Sequence, residues 1–179
     1  MLEITIPKRE MYNEKTNEFF ETKEYTIRLE HSLVSLSKWE SKWNKPFMSK
    51  QQKTIEETLD YIRCMTITQN IPEEAYNGLT QENIEAINKY IDLPMTATTF
   101  PKGGNRNSNE IVTSELIYYW MIALNVPMEC QKWHLNRLLT LIKVCNVKQT
   151  PGKKMSNREI MSRNAALNAA RRKQLHSKG

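Results

Sequence analysis

Ile111-Val-Thr-Ser-Glu-Leu-Ile-Tyr-Tyr-Trp120-Met-Ile-Ala-Leu-Asn-Val-Pro-Met-Glu-Cys130-Gln-Lys-Trp-His-Leu-Asn-Arg-Leu-Leu-Thr140-Leu-Ile-Lys-Val-Cys-Asn-Val-Lys148 is the longest apolar block in the 179-residue chain. Its punctuation divides it into two helices. The first opens at Thr113-Ser114-Glu115, where a hydroxyl can accept an orphan backbone N–H and Glu115 suits the positive helix end. It carries Leu116, Ile117, Tyr119, Trp120, Ala123 and Leu124. Asn125 and Pro127 end it, because proline has no N–H for the next helical bond. The second helix restarts at about Pro127, a tolerated first position. Cys130, Trp133, Leu138, Leu141, Ile142 and Cys145 recur along it in steps suited to a helix, and Leu135 and Leu139 widen the stripe. So short a link between apolar helices predicts an antiparallel pair, and this pair is the expected core.

Working outward, Leu2-Glu3-Ile4-Thr5-Ile6 and Glu24-Tyr25-Thr26-Ile27-Arg28-Leu29 both alternate, with polar turn material between them around 13–18. They predict an antiparallel hairpin, which must pack on helices because an isolated hairpin is marginal in water. Ser32 opens a helix through about Trp43, with Leu36, Trp39 and Trp43 on one side, and Asn44-Lys45-Pro46 ends it. Thr54-Ile55-Glu56-Glu57 is a capping-box pattern ahead of a helix whose apolar side would be Ile55, Leu59, Ile62 and Met65. A short helix can start at Pro72. Thr80 caps another, with Ile84, Ile87, Tyr90 and Ile91 on one face and Pro94 as its stop. The expected class is mainly α (α+β). Its parts are an N-terminal β-hairpin over 1–31, a helical core over 32–148 and a basic helical arm over 149–179.

Composition is that of a globular protein, 39% hydrophobic and 26% charged. No run of about 18 uncharged apolar residues exists, which argues against a membrane span, and the first residues lack the apolar stretch of a secretory signal. Three scattered cysteines, Cys64, Cys130 and Cys145, form no disulfide framework and suit a reducing cytoplasm. The net charge of +6 hides an asymmetry. From Lys148 onward nine Lys/Arg stand against one acid, Glu159. Taken from totals of 26 and 20, that leaves 17 basic and 19 acidic residues before it, a net of −2. The basicity belongs to the tail.

Signals for chemistry are sparse. Cys130 and His134, four apart on one expected helix, could reach one ion, but no CxxC or second ligand pair completes a site. His31, His134 and His176 lie in no local nucleophile signature, and Glu56-Glu57 and Glu73-Glu74 sit where helix capping accounts for them. The loop Pro101-Lys-Gly-Gly-Asn-Arg-Asn-Ser-Asn109 lacks both phosphate-binding patterns. The expectation is a protein that is not an enzyme and needs no cofactor or metal. Trp39, Trp43, Trp120 and Trp133 are the candidate apolar anchors for a protein partner, since tryptophan contributes disproportionately to interfaces, although each taken singly suits a core position better than a contact.

The segment after 148 opens with a Pro151-Gly152 hinge and a second capping box, Ser156-Asn157-Arg158-Glu159, so its helix should start there. Alanines then favour helix but bury little. Lys153, Lys154, Arg158, Arg163, Arg171, Arg172 and Lys173 are the candidate binding residues of this arm. As a basic stripe they could neutralise nucleic-acid phosphates or engage a protein partner. Aromatic residues are absent after Trp133, so base stacking is not encoded there. The large apolar residues of a membrane-lying helix are also missing.

Four stretches resemble a known family: His31-Ser-Leu-Val-Ser-Leu-Ser-Lys-Trp-Glu40, Tyr61-Ile-Arg-Cys-Met-Thr66, Trp133-His-Leu-Asn-Arg-Leu-Leu-Thr-Leu-Ile142 and Arg163-Asn-Ala-Ala-Leu-Asn-Ala-Ala-Arg-Arg172. They look like the tail assembly chaperones of long-tailed bacteriophages, over nearly the whole chain. The resemblance implies a non-enzymatic protein of the infected host cytoplasm. It would bind the helical tape measure protein, keep it soluble and help tail-tube subunits polymerise around it, with oligomerisation open. It carries no catalytic residues. The other expectations to weigh are a nucleic-acid-associated protein using the arm and a structural virion component at a tail or neck junction.

Overall fold

A computed structural model describes residues 1–13, 17–100, 111–149 and 157–175. The class is mainly α with an N-terminal antiparallel hairpin. The chain forms two compact units, Met1–Asn146 and Val147–Gly179.

In the first unit, β1 (Leu2–Ile6) pairs antiparallel with β4 (Tyr25–Leu29). Leu2 faces Leu29, Ile4 faces Ile27 and Ile6 faces Tyr25, which turns Ile4, Ile6, Ile27 and Leu29 inward together. Their connection is more regular than the expected loop, because β2 (Glu10–Asn13) and β3 (Glu18–Glu21) pair as well. Thr22 joins the two ladders: its N–H donates to Arg9 O at 2.7 Å, and its hydroxyl accepts the Arg9 N–H at 3.0 Å. Of the turn expected around 13–18, residues 14–16 lie outside the described residues. On its other edge β4 meets residues 66–68, with Ile67 N–H donating to Arg28 O at 2.8 Å and Arg28 N–H to Thr68 Oγ1 at 2.9 Å.

The central helix is α1 (Leu33–Trp43), which packs on α2 (Ile55–Met65) and α4 (Ser114–Ala123). Ser32 caps it, and Leu33, Leu36 and Trp39 are fully buried along it. Asn44 ends it in the left-handed conformation at φ 52°. Thr54 caps α2 through the expected box, with Glu57 returning a bond to the Thr54 N–H. The buried face of α2 keeps the expected Ile62 and Met65 but is rotated from Ile55 and Leu59. Ile55 is exposed, while Glu57, Asp60, Tyr61, Ile62 and Met65 are buried. Two carboxylates can occupy that face because α1 and the residues just after it supply their partners: Lys42 Nζ and Trp43 Nε1 bond Asp60, and Lys45 Nζ bonds Glu57. A 3-10 turn at Glu73–Gly78 follows Pro72. Next comes α3 (Gln81–Asp92), which packs on β1 and donates from Asn83 Nδ2 to Thr5 O at 3.0 Å. Gly78 lies so close to β1 that a Cβ there would sit 3.0 Å from Ile6 Cγ2.

Beyond α4 the expected second helix is interrupted. Met128–Lys132 is a 3-10 turn, Trp133 is extended (φ −72°, ψ 162°), and α5 (Leu135–Gln149) begins only at Leu135. The interruption is made by the hairpin–α1 junction. His134 forms an isolated β-bridge with Ser32, and Leu135 N–H donates to His31 O at 2.7 Å. The core is therefore built around α1 rather than around the pair expected in 111–148. That segment contributes Ile117, Met121, Leu135, Leu138 and Ile142 to it. In the second unit, α6 (Asn157–Leu175) is the helix expected of the arm. Its described side chains, Arg158 and those of 161–175, are all exposed.

Candidate functional site

Helix α4 is apolar around most of its circumference, yet the body covers only one side of it. Between Leu116 and Ala123 it carries no charge. Ile117 and Met121, one turn apart, are fully buried. On the opposite side Tyr119 is 63% and Ile122 68% exposed and Ala123 is exposed, while Trp120 and Leu124, flanking the buried face, are half-buried. Between α4 and α5 runs an open groove of about 320 Å³. Its walls are Trp120, Ala123 and Leu124 on one side and Leu139, Ile142, Lys143 and Asn146 on the other. The Lys143 ammonium stands 4.1 Å from the Phe100 ring centroid. Surface of this kind, apolar with a polar edge, is where protein partners dock.

The four candidate tryptophans do not converge. Trp39 is 1% exposed, with its Nε1–H donating to Glu57 O at 2.8 Å, so it is a core residue and cannot be an anchor. Burial and binding call for the same residue type; the neighbours that enclose Trp39 (Trp43, Phe47 and α2) are set by the fold. Trp43 is half-buried and tied to Asp60 Oδ2 at 2.8 Å. Trp133 is half-buried beneath the Arg137 guanidinium, 4.1 Å from its ring centroid. Of the four, Trp120 is the one that lines the groove.

Polar groups gather at a different place. The Tyr61 hydroxyl and His31 Nδ1 are hydrogen-bonded at 2.6 Å, and the His31 and His134 rings meet edge-on with centroids 5.2 Å apart. His134 Nε2 donates to Tyr90 O at 3.1 Å, while its Nδ1 accepts the Asn136 N–H at 3.3 Å. Burial, with His134 adding to it, lowers the His31 pKa to about 4. Burial likewise lowers that of His134, against the opposing pull of the Tyr90 carbonyl, and it raises that of the Tyr61 hydroxyl. Both rings are thus neutral at pH 7. The adjoining cavity, about 300 Å³, is lined by His31, Phe47, Met48, Ile91, Asp92, Leu135 and Asn136. That lining offers one carboxylate and no hydroxyl or thiol nucleophile. The cluster acts as a seam, joining residues 31–40, 61–66 and 133–142, three of the stretches that carry the resemblance. Cys130 and His134 belong to different elements, and both ring nitrogens of His134 are engaged within the fold. Among the described residues no three His, Cys, Asp or Glu side chains cluster as metal ligands.

In the arm, Arg158, Arg163, Arg171, Arg172 and Lys173 are exposed. Lys153 and Lys154, with the hinge, lie outside the described residues, as do His176 and the loop at 101–109. The expected single stripe does not form. At about 100° per residue, Arg158, Arg172 and Lys173 fall on one side of α6 and Arg163 and Arg171 on the other.

The groove itself escaped the sequence reading, which paired the two apolar helices against each other. One signal for it was available: a helix apolar all round must be fully enveloped or show apolar surface. No helix among the described residues is long and apolar enough to cross a membrane. In comparisons with protein-family models, curated proteins and solved structures, the chain matches none of them.

Proposed function

We propose that the chain is a non-enzymatic tail assembly chaperone of a long-tailed phage, acting in the host cytoplasm by covering apolar helices of the tape measure protein. The observation that carries this reading is the apolar α4–α5 groove walled by Trp120, Ala123 and Leu124, with Tyr119 and Ile122 exposed on the outer side of α4. A helix laid there offers side chains at i, i+3, i+4 and i+7 to such a groove. The resemblance over residues 31–40, 61–66, 133–142 and 163–172 supplies the phage context and the identity of the partner. Reversible cover needs no bond-making groups. The test is co-expression with the tape measure protein of the same genome, followed by pull-down. Recovery of that protein, insensitive to salt and lost with Trp120→Ala or with Ala123→Arg, supports the reading; no recovery by the unaltered chain sinks it.

A second reading, nucleic-acid association, rests on the exposure of every described arm side chain. Binding of that kind weakens steeply with added salt and disappears when 150–179 are removed. With cations on both sides of α6, it would be phosphate contact without base readout. A structural virion component, in contrast, would remain in purified particles.

A further inference from the structure

The charges around the groove restrict what can occupy it, on the premise of the reading above that a helix docks there. Helix α5 carries no acid, and of its three cations Lys143 borders the groove while Arg137 lies over the Trp133 ring. Helix α4 has a single charge, Glu115, in its first turn, whereas the groove lies against its last turn. Lys143 is the one ionised group in the groove lining, and it is exposed at the rim. Among the described residues it faces no carboxylate, whereas Lys42 and Lys45 are each paired with one; its contact is the Phe100 ring. A partner helix seated on Trp120, Leu124, Leu139 and Ile142 therefore meets Lys143, and no carboxylate of the groove lining, at its α5-facing flank.

We propose that the groove takes an amphipathic helix whose apolar stripe is flanked by Asp or Glu, with Trp120 as apolar anchor and Lys143 pairing the acidic flank. Lysine at that flank would place like charges together, so the site selects against basic helices as well as for acidic ones. A single rim ion pair is modest, and the preference expected is about two- to fivefold at low ionic strength. It shrinks as salt screens the pair.

The experiment uses the full chain and two labelled synthetic helical peptides with the same Leu stripe, one flanked by Glu and one by Lys, read by fluorescence anisotropy. The Glu peptide should bind more tightly, Lys143→Ala should remove the preference, and Lys143→Glu should invert it. Ala123→Arg, an exposed change that fills the groove without touching the core, should abolish binding of both peptides, and circular dichroism checks that it folds. Equal binding of both peptides, lost with Ala123→Arg, would overturn the charge selection and leave the groove reading standing. Absence of binding, or binding indifferent to Ala123→Arg, would overturn both. A dimer in sedimentation that Ala123→Arg dissolves would assign the groove to a second copy and also overturn the proposal.

Discussion

Trp39 and Trp120 are the same residue type with opposite consequences, and the difference lies in what surrounds each ring. Trp39 is enclosed by Trp43, Phe47 and α2. Trp39→Ala should cost about 3–5 kcal/mol of stability, as large-to-small core changes do, measured by urea unfolding. Trp120→Ala should cost stability much less, because its ring is half in solvent, while weakening partner binding about tenfold, the loss of an interface anchor. A pull-down titration beside a denaturation curve separates the two. His31 makes the fold sensitive to acid. Its folded pKa, about 4, lies below the ordinary imidazole value of 6.5. Above pH 6.5 neither state carries the proton. As pH falls from 6.5 towards 4 the unfolded chain binds it and the folded chain does not, so stability drops, by about 3 kcal/mol in total. Denaturation midpoints taken across that window should fall, and a His31→Gln variant should show a shallower decline.

At the scale of elements, local signals placed helix starts well because capping is a local transaction between a side chain and the next turn's N–H. Ser32, Thr54, Thr80 and Thr113 each accept that bond. Thr54→Ala removes one side of the capping box on α2 and should cost about 1 kcal/mol, seen as a lower thermal midpoint. The start of α5 was not legible in the same way. Nothing in Pro127-Met-Glu-Cys-Gln-Lys-Trp-His134 breaks a helix; the break comes from Ser32, a hundred residues away in sequence, taking His134 into a β-bridge. The buried side of α2 was equally hidden. Apolar periodicity favours Ile55 and Leu59, but Lys42 and Trp43 on α1, with Lys45 just beyond its end, make the Glu57 and Asp60 side the one to bury. Partners on another helix outweigh hydropathy there.

For the whole molecule, the charge asymmetry runs parallel to the division at residue 147. Since every described α6 side chain is exposed, deleting residues 150–179 should leave the cooperative unfolding of the body within the few tenths of a kcal/mol typical of surface changes, measured by thermal melting. The isolated α6 peptide should be only partly helical by circular dichroism, because a helix that short is marginal without an apolar face to pack.

The sequence by itself determined the class, the antiparallel hairpin, the helix caps and the basic arm, because each depends on neighbours a few residues apart or on simple alternation. Only the tertiary structure decided that α1 lies at the centre, that Trp39 is core while Trp120 borders a groove, and that His31, Tyr61 and His134 meet. Those outcomes depend on which surfaces press together across the chain. Apolar residues record that something must be covered; the packing of distant elements determines which of them stay uncovered.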